Sequence, residues 1–352
     1  MTIIRHSLFV LPLLGAVACT DAVEPRGQAS SSLIGADPDP AHRFAVGICI
    51  GDLVAEGQPG AGTCAGAACS GTLIAPNLVL TAHHCLRQIA FADPFCESTF
   101  TDDPFGSPVQ VTVSSSVRVG NPIWLQVRSA LLPPGRGVCS DDVALLILAE
   151  PVPSRVAQPV QVDVTRDLVL DPPSEVAIVG RGAINEFLDL ATGMLIEEDG
   201  HLERRLREHI PFQCAANGIE TCDLVDYSSP PSNLFASPAG YLVIGSSVAP
   251  GDSGSGVFDQ DQFEDERPSV IGVTSAVTFG PDGLLNHGLV TRLDTHREFV
   301  LDGMRQASAA LSLPSLIATI GTSTTTVRRA LPSDTHRASL VGPLRRAALA
   351  QR

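Results

Sequence analysis

The residues best suited to chemistry cluster in positions 243–258, Val-Ile-Gly-Ser-Ser-Val-Ala-Pro-Gly-Asp-Ser-Gly-Ser-Gly-Val-Phe. Ser253 sits there in a glycine-rich turn between two apolar runs. Gly251 and Gly254 let the backbone turn tightly enough to expose the serine hydroxyl, and the amides of Gly251 and Ser253 can then converge on one point as donors to a developing oxyanion. A serine so placed is a candidate nucleophile. Glycine and serine are also ordinary turn residues, so the stretch reads equally as a hairpin turn unless a base and its orienting group occur elsewhere.

Two other stretches supply those groups. Residues 69–85 read Cys-Ser-Gly-Thr-Leu-Ile-Ala-Pro-Asn-Leu-Val-Leu-Thr-Ala-His-His-Cys, two apolar strands around a turn, ending in adjacent histidines. Residues 140–148, Ser-Asp-Asp-Val-Ala-Leu-Leu-Ile-Leu, place a carboxylate at the head of an apolar strand. Buried there, it can fix the tautomer of an imidazole and stabilise the imidazolium.

The elements that must position these groups are strands. Short β-branched runs at 44–50, 71–75, 78–82, 109–113, 117–119, 143–148, 160–164, 176–180, 241–244, 269–274 and 288–293 alternate with Gly, Pro, Asn and Asp clusters, an all-β pattern without the helices of βαβ units. Residues 86–140 are broken by prolines and read as loops, apart from the runs just named. Residues 197–209, EEDGHLERRLREH, read as a solvated loop or short helix. Asp294–Ala310 has the spacing of an amphipathic helix.

Composition narrows the function. The 352 residues carry a net charge of −15, which argues against a nucleic-acid partner. All 23 basic residues are arginines, so lysine chemistry is excluded. No Cys or His spacing suits a metal, and no cofactor is expected. Residues 1–18 combine a cationic start with a short apolar run and read as an export signal, too short to span a membrane. Ala16-x-Ala18 suits ordinary cleavage, and Cys19 directly after it resembles the lipobox of bacterial lipoproteins, the only membrane link foreseen. Setting Cys19 aside leaves eight of nine cysteines, enough for four disulfides.

Taken together the three stretches resemble the trypsin/chymotrypsin family of serine proteases, here an exported, bacterial-type member. Thr81-Ala82-x-His84-Cys85 with Cys69 upstream resembles the family's histidine segment, Asp142-Val143-Ala144-Leu145-Leu146-x-Leu148 its aspartate strand, and Gly251-Asp252-Ser253-Gly254 its serine loop. The order His84, Asp142, Ser253 is that of chymotrypsin. The resemblance implies two six-stranded antiparallel β-barrels with the site between them and a C-terminal helix. With the N-terminal apolar run and the composition of the tail, the sections are 1–18 signal, 19–32 linker or pro-segment, 33–155 first barrel, 156–310 second barrel and helix, and 311–352 a mobile arginine-rich tail that docks on the acidic body, is trimmed, or is inert. The resemblance also implies that His84 is the base, Asp142 its orienter and Ser253 the nucleophile, with the Gly251 and Ser253 amides as oxyanion hole; His83 stays outside the chemistry and Asp141 stays solvated. Cys69–Cys85 is the family's disulfide. Proximity suggests Cys214–Cys222, and short loops suggest Cys49–Cys64 and Cys96–Cys139.

Further expectations follow from the same resemblance. A new N-terminal amine at Leu33-Ile34-Gly35-Ala36 would pair with Asp252. Ser247 lies at the base of the substrate pocket, Val248 and Val277 form its walls, Gly288 leaves the opposite wall open, and the strand holding Ser275 pairs with an extended polypeptide substrate. Cleavage after small or medium apolar residues follows, by a monomer. Gly254-Ser255-Gly256 departs from the family's Gly-Gly-Pro, and Arg181 stands where it has tryptophan. Two rivals are a catalytically silent binding homologue and an esterase; the latter needs Gly-x-Ser-x-Gly, and position 255 is serine.

Overall fold

The computed structural model describes residues 36–92, 95–182, 185–189, 194–198, 202–217, 222–226, 233–237, 240–246 and 248–312. The expectations for the signal, Cys19, Leu33, Ser247 and the tail lie outside them.

Six strands close the first barrel: β1 Ala45–Ile50, β2 Ala67–Ala75, β3 Leu78–Thr81, β4 Val109–Thr112, β5 Trp124–Leu131 and β6 Ala144–Leu148. Their neighbour order is β1-β2-β3-β6-β5-β4, closed by antiparallel pairing of β4 with β1. Six more form the second: β7 Glu175–Gly180, β8 Arg205–Ala215, β9 Tyr241–Gly245, β10 Gly256–Asp259, β11 Ser269–Phe279 and β12 Leu285–Arg292. Their order, β7-β8-β9-β12-β11-β10, repeats that of the first barrel and closes through β10 and β7. The chain is thus two closed six-stranded antiparallel barrels.

Wholly apolar strands make the cores. β1, β6 and β9 are buried along their full length, as β-branched and leucine-rich runs are when a barrel closes over them. Leu73, Leu78, Leu80, Leu145 and Leu146, each 0% exposed, centre the first core; Val176, Ile178, Leu242, Ile244 and Ile271 centre the second. The helix α1, Arg297–Ser312, lays Val300, Gly303 and Ala307 on the first barrel. A side chain on Gly303 would collide with Leu145, and Asn77 Nδ2 donates to Ala307 O at 3.0 Å, so α1 sits close.

Several sequence expectations need correction. The charged stretch 205–209 is the start of β8, because its arginines and glutamates line the less buried edge while Ile210 is buried. Within 86–140, Trp124–Leu131 is a barrel strand, and Arg87–Ala90 pairs with Thr99–Pro104 as a hairpin. Positions 117–119 form no strand, and of 160–164 only Gln161–Val162 pairs.

Four disulfides are present: Cys49–Cys64, Cys69–Cys85, Cys96–Cys139 and Cys214–Cys222.

Two arginines occupy the seam between the barrels. Arg181, just past β7, is 1% exposed and donates to the carbonyls of Ser114 (2.6 Å), Ser115 (2.7 Å) and Ala45 (3.2 Å) of the first barrel. Arg204 donates to Asp39 O (2.9 Å) and Val113 O (3.2 Å) and pairs with the Asp39 carboxylate at 3.5 Å. Burial, with Arg204 nearby, pulls the Arg181 pKa down to about 9, still charged at neutral pH.

Candidate active site

Ser253 sits in two consecutive turns. Ala249-Pro250-Gly251-Asp252 is closed by Asp252 N donating to Ala249 O at 2.9 Å, with Gly251 at φ +96°. Asp252-Ser253-Gly254-Ser255 is closed by Ser255 N donating to Asp252 O at 2.8 Å, with Gly254 at φ +86°. A positive φ at the third position marks type II turns, and glycine takes it without strain. Types I and II differ by a flip of the middle peptide, so the sign of the Gly251 φ sets the direction of its N–H. Proline at 250 and glycine at 251 are the residues such a turn selects. A side chain on Gly254 would collide with Thr81 Oγ1 and Ser70 O, so only glycine lets this loop approach the first barrel.

His84 lies in the short turn His83–Cys85 that follows β3, pinned by the Cys69–Cys85 disulfide. Asp142 precedes β6 and is 1% exposed. Its two oxygens divide the work: Oδ1 accepts from the His84 backbone N at 2.9 Å, and Oδ2 from His84 Nδ1 at 2.8 Å. A carboxylate in this setting only accepts, so Nδ1 carries the proton and Nε2 is left as the base. Burial disfavours charge on both groups, but each stabilises the other more strongly. His84 is therefore held above its ordinary value and Asp142 below its own.

A third residue reaches the same carboxylate. A bulge in β11 between Thr274 and Ala276 takes Ser275 out of the ladder with β12 and turns its hydroxyl inward. Ser275 Oγ donates to Asp142 Oδ2 at 2.5 Å and lies 2.8 Å from the buried Tyr241 hydroxyl, which also reaches Val138 O at 3.0 Å. The sequence placed Ser275 on the substrate strand; its contact with Asp142, and that of Tyr241 with Ser275, were not foreseen. The one signal was a tyrosine inside the apolar run of β9.

The histidine and aspartate segments belong to the first barrel and the serine loop to the second. Ser253 is joined to the first barrel through its backbone: its carbonyl accepts from Ser70 N at 2.8 Å and lies 3.7 Å from the Cys85 sulfur. Among the described residues, the Ser253 hydroxyl makes no hydrogen bond to His84; the hydrogen bonds of His84 run to Asp142. His83 is buried, stacks on Phe100 with centroids 3.9 Å apart, and its Nδ1 contacts Asp141 O at 3.2 Å. Asp141 is half-buried rather than solvated, its carboxylate accepting from Ser140 Oγ at 2.6 Å and Gly137 N at 3.1 Å.

Asp252 is 0% exposed and accepts from Gly182 N at 2.6 Å and Ala249 N at 3.1 Å. Burial pushes its pKa up to about 7 despite those donors. Val248 is buried and Val277 half-buried in the second core. At Gly288, the residue expected to leave the opposite wall open, a Cβ would meet Ile244 Cγ1 at 2.9 Å and Val248 Cγ2 at 3.2 Å, because β9 and β12 pair Ile244 with Gly288. Among the described residues, the one His/Cys/acid group tight enough for a metal is Cys69, His84 and Cys85, and its sulfurs are joined in a disulfide.

Two closed six-stranded barrels of one strand order give the chymotrypsin-like fold, with a carboxylate-held histidine on the first and a glycine-framed serine on the second. Residues 54–195 match the trypsin family, a span that includes His84 and Asp142 and ends before Ser253. Residues 54–195 thus carry a trypsin-family domain, which supports a trypsin-like serine protease in general. No curated protein matches the chain. Such a domain with several disulfides points to an extracellular or exported protein, and among the described residues no helix is long and apolar enough to cross a membrane.

Proposed function

We propose that this chain is a secreted endopeptidase that hydrolyses peptide bonds through an acyl-enzyme on Ser253. His84 Nε2 takes the Ser253 proton as the hydroxyl attacks the scissile carbonyl. The Gly251 and Ser253 amides hold the oxyanion, and His84 then protonates the leaving amine. Water, activated by the same histidine, releases the acyl group. Asp142 holds the tautomer throughout. The observation that carries this reading is the two-point grip of Asp142 on His84, at 2.9 and 2.8 Å, which leaves Nε2 unprotonated.

Ile244 and Val248 lie against Gly288, and on that packing we propose cleavage after small apolar residues in preference to aromatic or basic ones. Asp252, buried with no cationic side chain among its hydrogen-bond donors, is the proposed partner of an amine freed at Leu33. Export by residues 1–18 fits the disulfides.

Labelling of the purified chain with a fluorophosphonate tests the nucleophile. Labelling that disappears in Ser253→Ala supports it; an unlabelled wild type, in precursor and processed forms alike, leaves a catalytically silent binding homologue.

A further inference from the structure

Ser70 touches the serine loop at two points. On β2, next to the disulfide cysteine Cys69, it is 1% exposed. Its backbone N donates to Ser253 O at 2.8 Å, and its hydroxyl donates to Gly251 O at 2.7 Å, a residue 181 positions away in the other barrel. Its own carbonyl accepts from Thr81 Oγ1 at 2.8 Å. The backbone groups of Ser70 are thus both engaged, and the single hydroxyl proton is committed to Gly251.

Gly251 and Ser253 are the two residues whose amides form the proposed oxyanion hole, and Asp252 between them is gripped from the second barrel by Gly182 N and Ala249 N. Gly251 has no side chain and the widest backbone freedom of any residue. Its carbonyl is the handle by which the first barrel can hold it. Preorganised donors serve catalysis only if they stay where charge develops, and a displacement of about 1 Å can cost 10²-fold.

We infer that Ser70 is a positioning residue for the oxyanion hole, its hydroxyl anchoring Gly251 to the first barrel so that the Gly251 N–H keeps its aim. The inference rests on the protease reading above. Ser70 touches no reacting atom; it acts through Gly251. The barrel that bears His84 and Asp142 thereby also fixes the loop that receives the negative charge.

Ser70→Ala removes one atom and keeps the N–H bond to Ser253. In the full chain, with rates expressed per site titrated by fluorophosphonate, kcat on a peptide amide should fall about 3–10-fold, the value of one neutral hydrogen bond. KM should stay within about two-fold, since the interaction matters when the oxyanion forms. Affinity for a peptide aldehyde, whose hemiacetal oxygen fills the hole, should fall by the same factor as kcat. Ser70→Thr, which keeps the hydroxyl, should recover most of the loss. Should Ser70→Ala yield no titratable sites, Ser70→Gly gives the same comparison. Unchanged kcat and aldehyde affinity in the variant lacking the hydroxyl, or a loss confined to KM, overturns the assignment. A wild type that neither labels nor cleaves removes the protease reading itself, and this inference with it.

Discussion

Ser275 and Asp142 lie 133 residues apart, yet the Ser275 hydroxyl donates to Asp142 Oδ2, the oxygen that also accepts the hydrogen bond from His84 Nδ1–H. Two donors therefore share one carboxylate oxygen, and the charge available to His84 is what Ser275 leaves.

That sharing predicts opposite pH effects for two variants. Activity needs neutral His84, so it is lost as pH falls through the His84 pKa, which Asp142 holds above the ordinary value against the effect of burial. In Ser275→Ala the carboxylate becomes a stronger base, His84 keeps its proton to higher pH, and the acid limb of kcat/KM moves up by less than about one unit. In Asp142→Asn the limb moves down and the plateau falls on the order of 10⁴-fold, because the amide stabilises the wrong tautomer. Profiles of kcat/KM from about pH 5 to 8 check both.

Asp252 predicts a difference between precursor and processed chains. Its folded pKa of about 7 exceeds the ordinary 3.8, so the folded chain binds this proton more tightly than the unfolded one. The stability it contributes is full below 3.8 and is lost as pH rises through about 7. An amine at Leu33 pairing with the carboxylate would lower that pKa and remove the loss. Thermal midpoints of a chain retaining residues 20–32 should fall across this window relative to one beginning at Leu33, and Asp252→Asn should abolish the difference. Parallel curves for the two forms would exclude the pairing.

The Cys69–Cys85 disulfide closes a loop of sequence separation 16 and lies against Ser253. Replacing both cysteines by alanine should cost about 2–4 kcal/mol in urea unfolding. It should also lower kcat, because the His84 turn loses its tie to β2. Peptide mapping without reduction should recover the two cysteines as one linked pair.

Ile244 predicts specificity. With its side chain filling the space opposite Gly288, a peptide library should report alanine above leucine and leucine above phenylalanine at the cleaved position. Ile244→Ala should raise the relative kcat/KM for larger apolar residues by roughly 10–200-fold, the range for differences of about a methylene in an apolar pocket. A preference of the wild type for arginine or lysine would place the pocket elsewhere.

Much of this arrangement is legible in the sequence because its parts are local. His84 beside Cys85, Asp142 heading an apolar strand, and Pro250-Gly251 before Ser253 are each contiguous, and each follows from one strand end or one turn. β5 and β8 are not legible as strands for a different reason. Half-exposed strands such as Trp124–Leu131 carry arginine and glutamine among their apolar residues, and in β8 arginine and glutamate mask a core set only by positions such as Ile210. Ser70, Ser275, Tyr241 and Ile244 owe their roles to partners more than 30 residues away, across a barrel or between barrels. No spacing rule reads such pairs, because barrel register and the bulge at Ser275 decide them.

The seam held by Arg181 and Arg204 makes the two barrels distinguishable to a solvent. Their guanidinium groups sit on backbone carbonyls of the opposite barrel, so free guanidinium ion is a small-molecule copy of the very group that joins them. We expect it to compete for the Ser114, Ser115 and Ala45 carbonyls before the cores unfold, so that activity falls ahead of the unfolding transition. Urea, uncharged, lacks that mimicry, so guanidinium and urea matched for unfolding strength should silence the enzyme at different points.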